Sequence, residues 1–229
     1  MYSGHIAAHA YKLIEGRPIN TAVVISPSHM EFFRFASVFS GSAYETPLGI
    51  VPVDQTLADM IASKDDAIKL SDKGHLQGHL PQREHSLEVQ LPFLQTVLPD
   101  VKIVPIVMGE QSWEMCEALG KVLAPLLKQP HILAVASCDL SHFHPYEEAE
   151  RLDRNFIDTL EAMDPKALFK AVHRNECEAC GAGPVIATMI AGLAAGAVSC
   201  RVLHAANSGD VSGDRKSVVG YTSAALIGE

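Results

Sequence analysis

The sequence contains no cluster of lysine and arginine residues, and no segment rich in proline, glycine or serine divides it. Its 229 residues carry a formal net charge of −9 with a pI near 5.6, which argues against a nucleic-acid partner and a basic membrane anchor. We therefore expect one domain spanning residues 1–229, with a small molecule or a peptide as its ligand.

Long hydrophobic segments are also missing. The most apolar stretch, residues 185–198, is shorter than the roughly 20 residues that span a bilayer. It predicts a packed core helix in which Gly192 and Gly196 share one face. No charged segment followed by an apolar one opens the chain, so we expect no export and no membrane insertion. Five cysteines, an odd number at irregular spacing, fit a reducing cytoplasm better than a disulfide framework.

Apolar, β-branched runs are abundant, and they predict strands at residues 21–25, 101–107, 132–136, 202–205 and 218–227. The first three runs lack polar alternation, as do strands that are covered on both faces. Helices are predicted at residues 87–98, with an interruption at Pro92, at residues 112–128 beginning from Ser112, and after the cap pair Asp164 and Pro165. This order predicts an α/β three-layer sandwich with a mostly parallel central sheet.

Three further segments are predicted to lie at the periphery. Residues 44–54 predict two short edge strands around a Pro-Leu-Gly turn, and residues 63–79 predict a mobile surface segment. The acidic segment 207–214 lacks the ligand spacing of an EF-hand, so it predicts a connection between the last two strands and no metal site.

Polar side chains follow two of the predicted strands directly. The segment SPSH ends in His29, and the segment SCDLSH contains Asp139 and His142. In open α/β sheets, ligands bind beyond the carboxyl ends of the strands, so the repeated pattern favours a site there. Asp139 can orient His142 or a metal-bound water. The alternatives are a polar residue that ends the strand, for His29, and the N-cap of a helix at 147–160, for Asp139.

A third segment, CGAGP, predicts a cysteine beside a helix N-terminus. Pro184 suits N1, the first position of that helix, whose partial positive charge favours the thiolate form of Cys180. The alternative is a small buried apolar residue. Cys177 and Cys180 also form a C-x-x-C pattern, but a structural zinc site needs a second pair, which the sequence lacks. Glu84 and His85 begin a predicted helix and can either face the crevice or cap the helix end.

The ordered set of segments SPSH, EHSLEVQLPFLQ, CDLSH, CGAGP and NSGDVSGDRKSVVGYTSAAL closely resembles the Memo family over nearly the whole chain. The resemblance implies a fold similar to the extradiol ring-cleaving non-heme iron dioxygenases, and metal-binding positions formed by two histidines and a cysteine. On this sequence, His29 matches the second histidine and Cys180 matches the cysteine. Asp139 and His142 match further pocket residues of the family.

The family's first histidine belongs to a Pro-His-Ala-Gly-Tyr type segment, whose continuation resembles the MYSG of residues 1–4. The match places that histidine upstream of Met1, so we expect residues 1–229 to lack the family's N-terminal strand and first histidine segment. His5 and His9 follow on a predicted helix, and we assign neither as a ligand. Mixed imidazole and thiolate ligation suits Fe(II) or copper and leaves zinc open.

Three functions are compatible with these residues. The first is a Memo-like, metal-dependent redox enzyme of the dioxygenase-like class that uses non-heme iron or copper on a small substrate, with His142 and Asp139 in catalytic roles. The second is a non-catalytic binding protein whose vestigial metal pocket holds a peptide or a small ligand. The third is a hydrolase with Cys180 as nucleophile and His142 as base, which would have only glycines for an oxyanion hole.

Overall fold

The apolar runs and polar caps of the sequence fold as strands and helices in the computed structural model, which describes residues 2–75 and 84–228. The strands are Thr21–Pro27 (β1), Ala36–Phe39 (β2), Ala43–Thr46 (β3), Gly49–Pro52 (β4), Ile68–Ser71 (β5), Lys102–Met108 (β6), Ile132–Ala136 (β7), His142–His144 (β8), Ala197–Asn207 (β9) and Val218–Gly228 (β10). The α-helices are Gly4–Ile14 (α1), Gln55–Ala62 (α2), Leu91–Val97 (α3), Trp113–Leu127 (α4), Tyr146–Glu161 (α5), Pro165–His173 (α6), Ala182–Ala195 (α7) and Ser208–Ser212 (α8).

The central sheet has five strands in the order β5, β2, β6, β1, β7. β1 pairs in parallel with β6 and with β7, β2 pairs in parallel with β5, and the β2–β6 pair is antiparallel. Every residue of β1 is buried, as is typical of a central strand in a sheet with covered faces. The predicted α/β class, with a mostly parallel sheet flanked by helices, is confirmed.

A second, antiparallel sheet contains β8, β10 and β9 in that order. It includes the strands predicted at residues 202–205 and 218–227, and both are longer than predicted. β3 and β4 are the two short strands predicted at residues 44–54, and they pair with each other in an antiparallel sheet of two strands. The segment 207–214 connects β9 to β10, as predicted, and contains the short helix α8, which begins with a capping box.

Two helices begin at the polar residues that predicted them. The Ser112 side chain accepts a hydrogen bond from the backbone N–H of Met115 at the start of α4. Asp164 accepts from two backbone N–H groups at the start of α6, and Pro165 occupies the first helical position. These caps stabilise the helices because the first N–H groups of a helix have no partner within it.

The helix predicted at residues 185–198 differs from the structure at both ends. It begins at Ala182, so the prediction of Pro184 as its first residue is wrong and Pro184 is the third. It ends at Ala195, because Gly196 adopts φ 109° and terminates it in the left-handed conformation. Gly196 therefore does not share a helical face with Gly192. A Cβ atom on Gly192 would lie 2.8 Å from Cδ1 of Leu226, so this glycine permits close packing of α7 on β10.

Two other segments also differ in part from the prediction. Residues 87–98 contain a 3₁₀ turn, Glu88–Gln90, followed by α3, so the predicted interruption lies before Pro92. The segment 63–79 was predicted to be a mobile surface excursion. This prediction is wrong for its described part, because Ile68 is buried and β5 forms an edge of the central sheet. Residues 76–79 lie outside the described residues.

The register of the central sheet determines where the candidate site lies. Ile25 of β1 pairs with Ile106 of β6 on one side and with Ala136 of β7 on the other. The residues that follow β1 and β7 therefore emerge side by side at one edge of the sheet. Across residues 2–75 and 84–228, no helix is both long and apolar enough to cross a lipid bilayer.

His75 is a buried histidine beside β2 and β3. Its Nδ1 atom lies 2.6 Å from the hydroxyl oxygen of Tyr44, and its Nε2 atom lies 2.8 Å from the carbonyl oxygen of Ser37. A hydroxyl that donates to Nδ1 and an Nε2–H that donates to a carbonyl together describe a neutral imidazole. Burial lowers the pKa of His75 to about 4, although the Ser37 carbonyl and the Asp72 charge oppose the shift.

We expect the free energy of unfolding to decrease as the pH falls from about 6.5 to about 4. In this pH window His75 binds a proton in the unfolded state, whereas the folded state keeps it neutral. The resulting loss in the free energy of unfolding is up to roughly 3 kcal/mol. Urea denaturation at pH 7 and pH 4.5 should show a smaller acid-induced loss for His75→Gln than for the wild type. His173→Gln, at an exposed position, is the control; an equal loss in all three proteins would contradict the prediction.

Candidate metal and thiol site

Three segments meet beyond the carboxyl ends of β1 and β7. The backbone N–H of Ser137, just after β7, donates to the Ile25 carbonyl of β1 at 2.8 Å. The loop before α7 then contacts the loop after β7, because the N–H of Cys180 donates to the Asp139 carbonyl at 3.1 Å. The N–H of Asp139 in turn donates to Sγ of Cys180 at 3.2 Å. The structure thus brings Asp139 and Cys180 together although they are far apart in sequence.

His29 lies at the end of the β1 segment and is held in place by Glu84. Nδ1 of His29 lies 3.0 Å from Oε1 of Glu84, and the His29 backbone N–H donates to Oε2 at 2.6 Å. The ring of His85 stacks on that of His29, with centroids 5.5 Å apart. Because Glu84 occupies Nδ1, Nε2 is the nitrogen of His29 that remains for a ligand. Sequence reasoning left the direction of Glu84 and His85 open, and the structure places both beside His29.

The Glu84 carboxylate also receives hydrogen bonds from its own segment. The backbone N–H of Ser86 donates to Oε1 at 3.1 Å, and the Ser86 hydroxyl lies 2.7 Å from the same oxygen. Burial alone would raise the pKa of Glu84, but the hydrogen bonds from His29 and Ser86 together hold it well below its usual range. The carboxylate is therefore ionised at neutral pH and favours one orientation of the His29 ring.

A polar network behind Glu84 connects this segment to α1 and β7. The hydroxyl of Ser137 donates to the Ser86 carbonyl, and Nε2 of Gln90 donates to the Ser137 hydroxyl at 2.8 Å. The hydroxyl of Tyr11, in α1, donates to Oε1 of Gln90 at 2.8 Å. Tyr11 and Gln90 were not predicted as site residues, since nothing in their local sequence distinguishes them from ordinary helix residues.

The side chain of Cys180 interacts with two neighbouring residues, Cys138 and His29. Its hydrogen bond with Cys138 is the largest influence that lowers the pKa of Cys180, to about 4; burial opposes the shift, and the hydrogen bond with His29 contributes further. The same two contacts raise the pKa of each partner of Cys180. The pKa of Cys138 is raised by its hydrogen bond with Cys180. The pKa of His29 is raised by its hydrogen bonds with Cys180 and with Glu84. These contacts favour the charged forms of both side chains, the thiolate of Cys180 and the imidazolium of His29, and a metal ion would have to displace the imidazolium proton.

The loop that contains Cys180 is held by close packing at Gly181 and by hydrogen bonds from the side chain of Gln111. A Cβ atom on Gly181 would lie 2.3 Å from the Ser137 carbonyl oxygen and 2.8 Å from Cβ of Cys138, so a larger residue does not fit. Gln111 bridges the loop to α7: its Nε2 donates to the Cys180 carbonyl at 2.9 Å, and its Oε1 accepts from the Gly183 N–H at 2.6 Å. Sequence analysis did not identify Gln111, because its role depends only on tertiary contacts.

Asp139 and His142 also lie beyond the carboxyl end of β7. Burial raises the pKa of Asp139 to about 6, the charge of Cys180 adds to the shift, and His142, His85 and His29 oppose it. The described side chains show no hydrogen bond between Asp139 and His142, so the predicted orienting contact is not seen. Asp139 is not a helix cap either, since Pro145 occupies the N-cap position of α5.

His5 and His9, the two other histidines considered from the sequence, lie away from this site. The rings of His5 and His9 face His204 of β9, with centroid distances of 6.1 and 4.9 Å. A cavity of about 620 Å³ lies at the opposite edge of the sheet, beside Thr21 and Lys102, and contains none of the predicted site residues. Within residues 2–75 and 84–228, no group of three or more His, Cys, Asp or Glu side chains is arranged to hold a metal ion.

Comparison with known proteins identifies the family. Residues 1–225 match the family model described as Memo-like protein. The chain belongs to this family. A MEMO1 family protein of Methanothermobacter thermautotrophicus is 39% identical over 224 residues, which cover 96% of this chain and 79% of that protein. A MEMO1 family protein of Aeropyrum pernix is 39% identical over 225 residues, covering 96% of this chain and 78% of that protein.

The Memo-like fold extends to more distant structures. The crystal structure of an uncharacterized protein from Escherichia coli K12 superposes with a TM-score of 0.57 and covers 93% of this chain and 91% of that one. The sequence identity is 15%, so this similarity shows the fold alone. The predicted family is confirmed, whereas activity and metal content are not specified by these similarities.

Proposed function

We propose that this Memo-like protein is a metal-dependent redox enzyme of the dioxygenase-like class, in which His29 and Cys180 bind Fe(II) or copper. The observation that carries the proposal is that Glu84 holds the His29 ring and the Asp139 N–H holds Sγ of Cys180 where these two side chains interact, beyond the carboxyl ends of the strands. An imidazole nitrogen and a thiolate are donors that iron, copper and zinc accept. The substrate is an unidentified small molecule.

The residues around the pair fit such a metal. Glu84 engages Nδ1 of His29 and leaves Nε2 for coordination, which is the carboxylate–histidine arrangement usual behind metal ligands. The Asp139 N–H supports the sulfur of Cys180. Two protein ligands leave open positions for substrate and solvent. A bound iron or copper ion would supply one-electron chemistry and activation of oxygen.

Asp139 and His142 are the proposed acid–base residues of the site. Burial raises the pKa of Asp139 to about 6, which allows this carboxyl group to exchange a proton near neutral pH. His142 interacts with Asp139 through its charge and lies at the start of β8. We propose that the pair holds or moves a proton of the bound substrate, with the substrate positioned between them and Cys180.

A second candidate function is a binding protein without catalysis. The absence of a three-residue metal group among residues 2–75 and 84–228 favours it. In this case the same edge, next to the exposed side chains of Met30 and Phe32, would hold a peptide or a small ligand. The five cysteines, all unpaired, support a reducing compartment such as the cytoplasm for either function.

Anaerobic titration with Fe(II) and with copper tests the proposal. We expect about one metal ion per chain, with a thiolate-to-metal charge-transfer band in the copper-loaded protein. Cys180→Ser should remove the band, because a neutral hydroxyl replaces the thiolate, whereas Cys177→Ser should keep it. Identical spectra and stoichiometry for both variants would reject Cys180 as a ligand. Metal binding without oxygen consumption across a panel of small molecules would favour the binding protein.

A further inference from the structure

The C-x-x-C pattern of the sequence suggests Cys177 as the partner of Cys180, but the structure provides a different partner. Cys177 is buried in the hydrophobic core. Burial raises the pKa of its thiol, and the charges of Glu176 and Glu178 add to the shift. The thiol next to Cys180 belongs to Cys138, two residues after β7. The Cys138 thiol donates to the Asp139 carbonyl at 3.1 Å, and the Asp139 N–H donates to Sγ of Cys180, so two thiols from different loops are neighbours.

Reciprocal hydrogen bonds hold these two sulfurs. The Asp139 N–H donates to Sγ of Cys180 at 3.2 Å, and the Gly181 N–H donates to Sγ of Cys138 at 3.3 Å. Each sulfur is thus bound by the residue that follows the other cysteine. Gly181 makes this approach feasible, since any side chain there would collide with Cys138 and with the Ser137 carbonyl.

We propose that Cys138 and Cys180 form a reversible dithiol–disulfide couple, with a hydroperoxide as the oxidant. Cys138, Cys180 and Cys200 are partly exposed residues, whereas Cys116 and Cys177 are buried, and a small peroxide can reach the pair at Cys180. The contact of the two sulfurs lets the second thiol react before Cys180 is oxidised further. This proposal goes beyond metal binding, because the thiol chemistry does not require a metal.

The reaction balances in two steps. The Cys180 thiolate attacks one oxygen of the hydroperoxide, the O–O bond breaks, and the leaving alkoxide takes a proton, which yields a sulfenic acid and an alcohol. The Cys138 sulfur then attacks the Cys180 sulfur, an S–S bond forms, the S–O bond breaks, and water leaves with the Cys138 proton. The two thiols together lose one electron pair, and the hydroperoxide gains that pair.

The disulfide would regulate the site. A sulfur within a disulfide is no longer a thiolate, so Cys180 could not bind a metal or act as a nucleophile in the oxidised form. A dithiol reductant would restore it. The pair therefore makes the site responsive to peroxide through residues that are already in contact, without a large change of fold.

Hydrogen peroxide treatment of the full chain in chelator-containing buffer tests this inference. Thiol titration of the unfolded product should show the loss of two of the five cysteine thiols, recovered by dithiothreitol. Trypsin and Glu-C cleave after Arg174 and Glu178 and separate Cys177 from Cys180, so mass spectrometry should find peptide 129–147 linked to peptide 179–201.

Two variants give this result its control. Cys138→Ser should form no such cross-link, while Cys200→Ser, which removes the other cysteine of peptide 179–201, should form it as the wild type does. A cross-link through Cys177 or Cys200, or sulfenic or sulfinic acid at Cys180 with Cys138 still a thiol, would overturn the inference. Because chelator removes metal, the outcome is independent of the proposed metal binding.

Discussion

Glu84→Ala is expected to weaken metal binding by about 10- to 100-fold, the usual effect of removing a carboxylate behind a histidine ligand. Glu84 holds Nδ1 of His29 at 3.0 Å and accepts the His29 backbone N–H at 2.6 Å. Without it, the imidazole can rotate, and its Nε2 no longer points steadily towards Cys180. Glu84→Gln keeps an acceptor oxygen but loses the charge, so its affinity should lie between those of the wild type and Glu84→Ala.

Competition against a chelator of known affinity would measure these constants. Glu45→Ala is the matched control, because it removes an exposed carboxylate on β3 that has no part in the site. This prediction depends on the proposed metal function. If Glu84→Ala and Glu45→Ala bind metal equally well, Glu84 has no role in orienting a ligand, and the carboxylate would serve only to stabilise the loop after β1.

Gly220→Ala should lower the free energy of unfolding by about 3 kcal/mol, at the upper end of the cost of overpacking a core. A Cβ atom at this position would lie 1.9 Å from Oδ2 of Asp153. Asp153 cannot easily move away, because its Oδ1 accepts the Ser141 N–H at 3.0 Å. Gly220 itself is fixed, since its N–H donates to the Ser141 carbonyl and its carbonyl accepts from Leu140, both at 2.9 Å.

Urea denaturation would measure this effect. Gly4→Ala is the control, because the nearest atom to an added Cβ is Cζ of Phe93 at 3.6 Å, an ordinary contact. The double variant Gly220→Ala/Asp153→Ala should be less destabilised than the sum of the two single changes, since removing the carboxylate relieves the collision. Additive losses would show that the collision with Asp153 is not the cause. His142 follows Ser141 directly, so the same change should disturb the site.

The sequence predicted the strands and the helix starts well where the signal is local. β1 and β6 are apolar runs that are buried apart from Lys102, as the lack of polar alternation predicted, whereas the same prediction is wrong for β7, an edge strand whose residues are only half-buried. Ser112 and Asp164 cap their helices through backbone groups only three residues or fewer away. The helix predicted at residues 185–198 ends early because the conformation of Gly196 depends on the turn into β9.

The sequence also predicted that His29, Asp139, His142 and Cys180 would surround one pocket: the first three follow apolar strands, and the family resemblance adds Cys180. Which of these side chains touch depends on the tertiary structure. Contacts of Glu84 with His29, of Gln111 with Gly183 and of Cys138 with Cys180 join distant segments. Such contacts depend on strand register and on the space left by Gly181, quantities that periodicity and spacing do not encode.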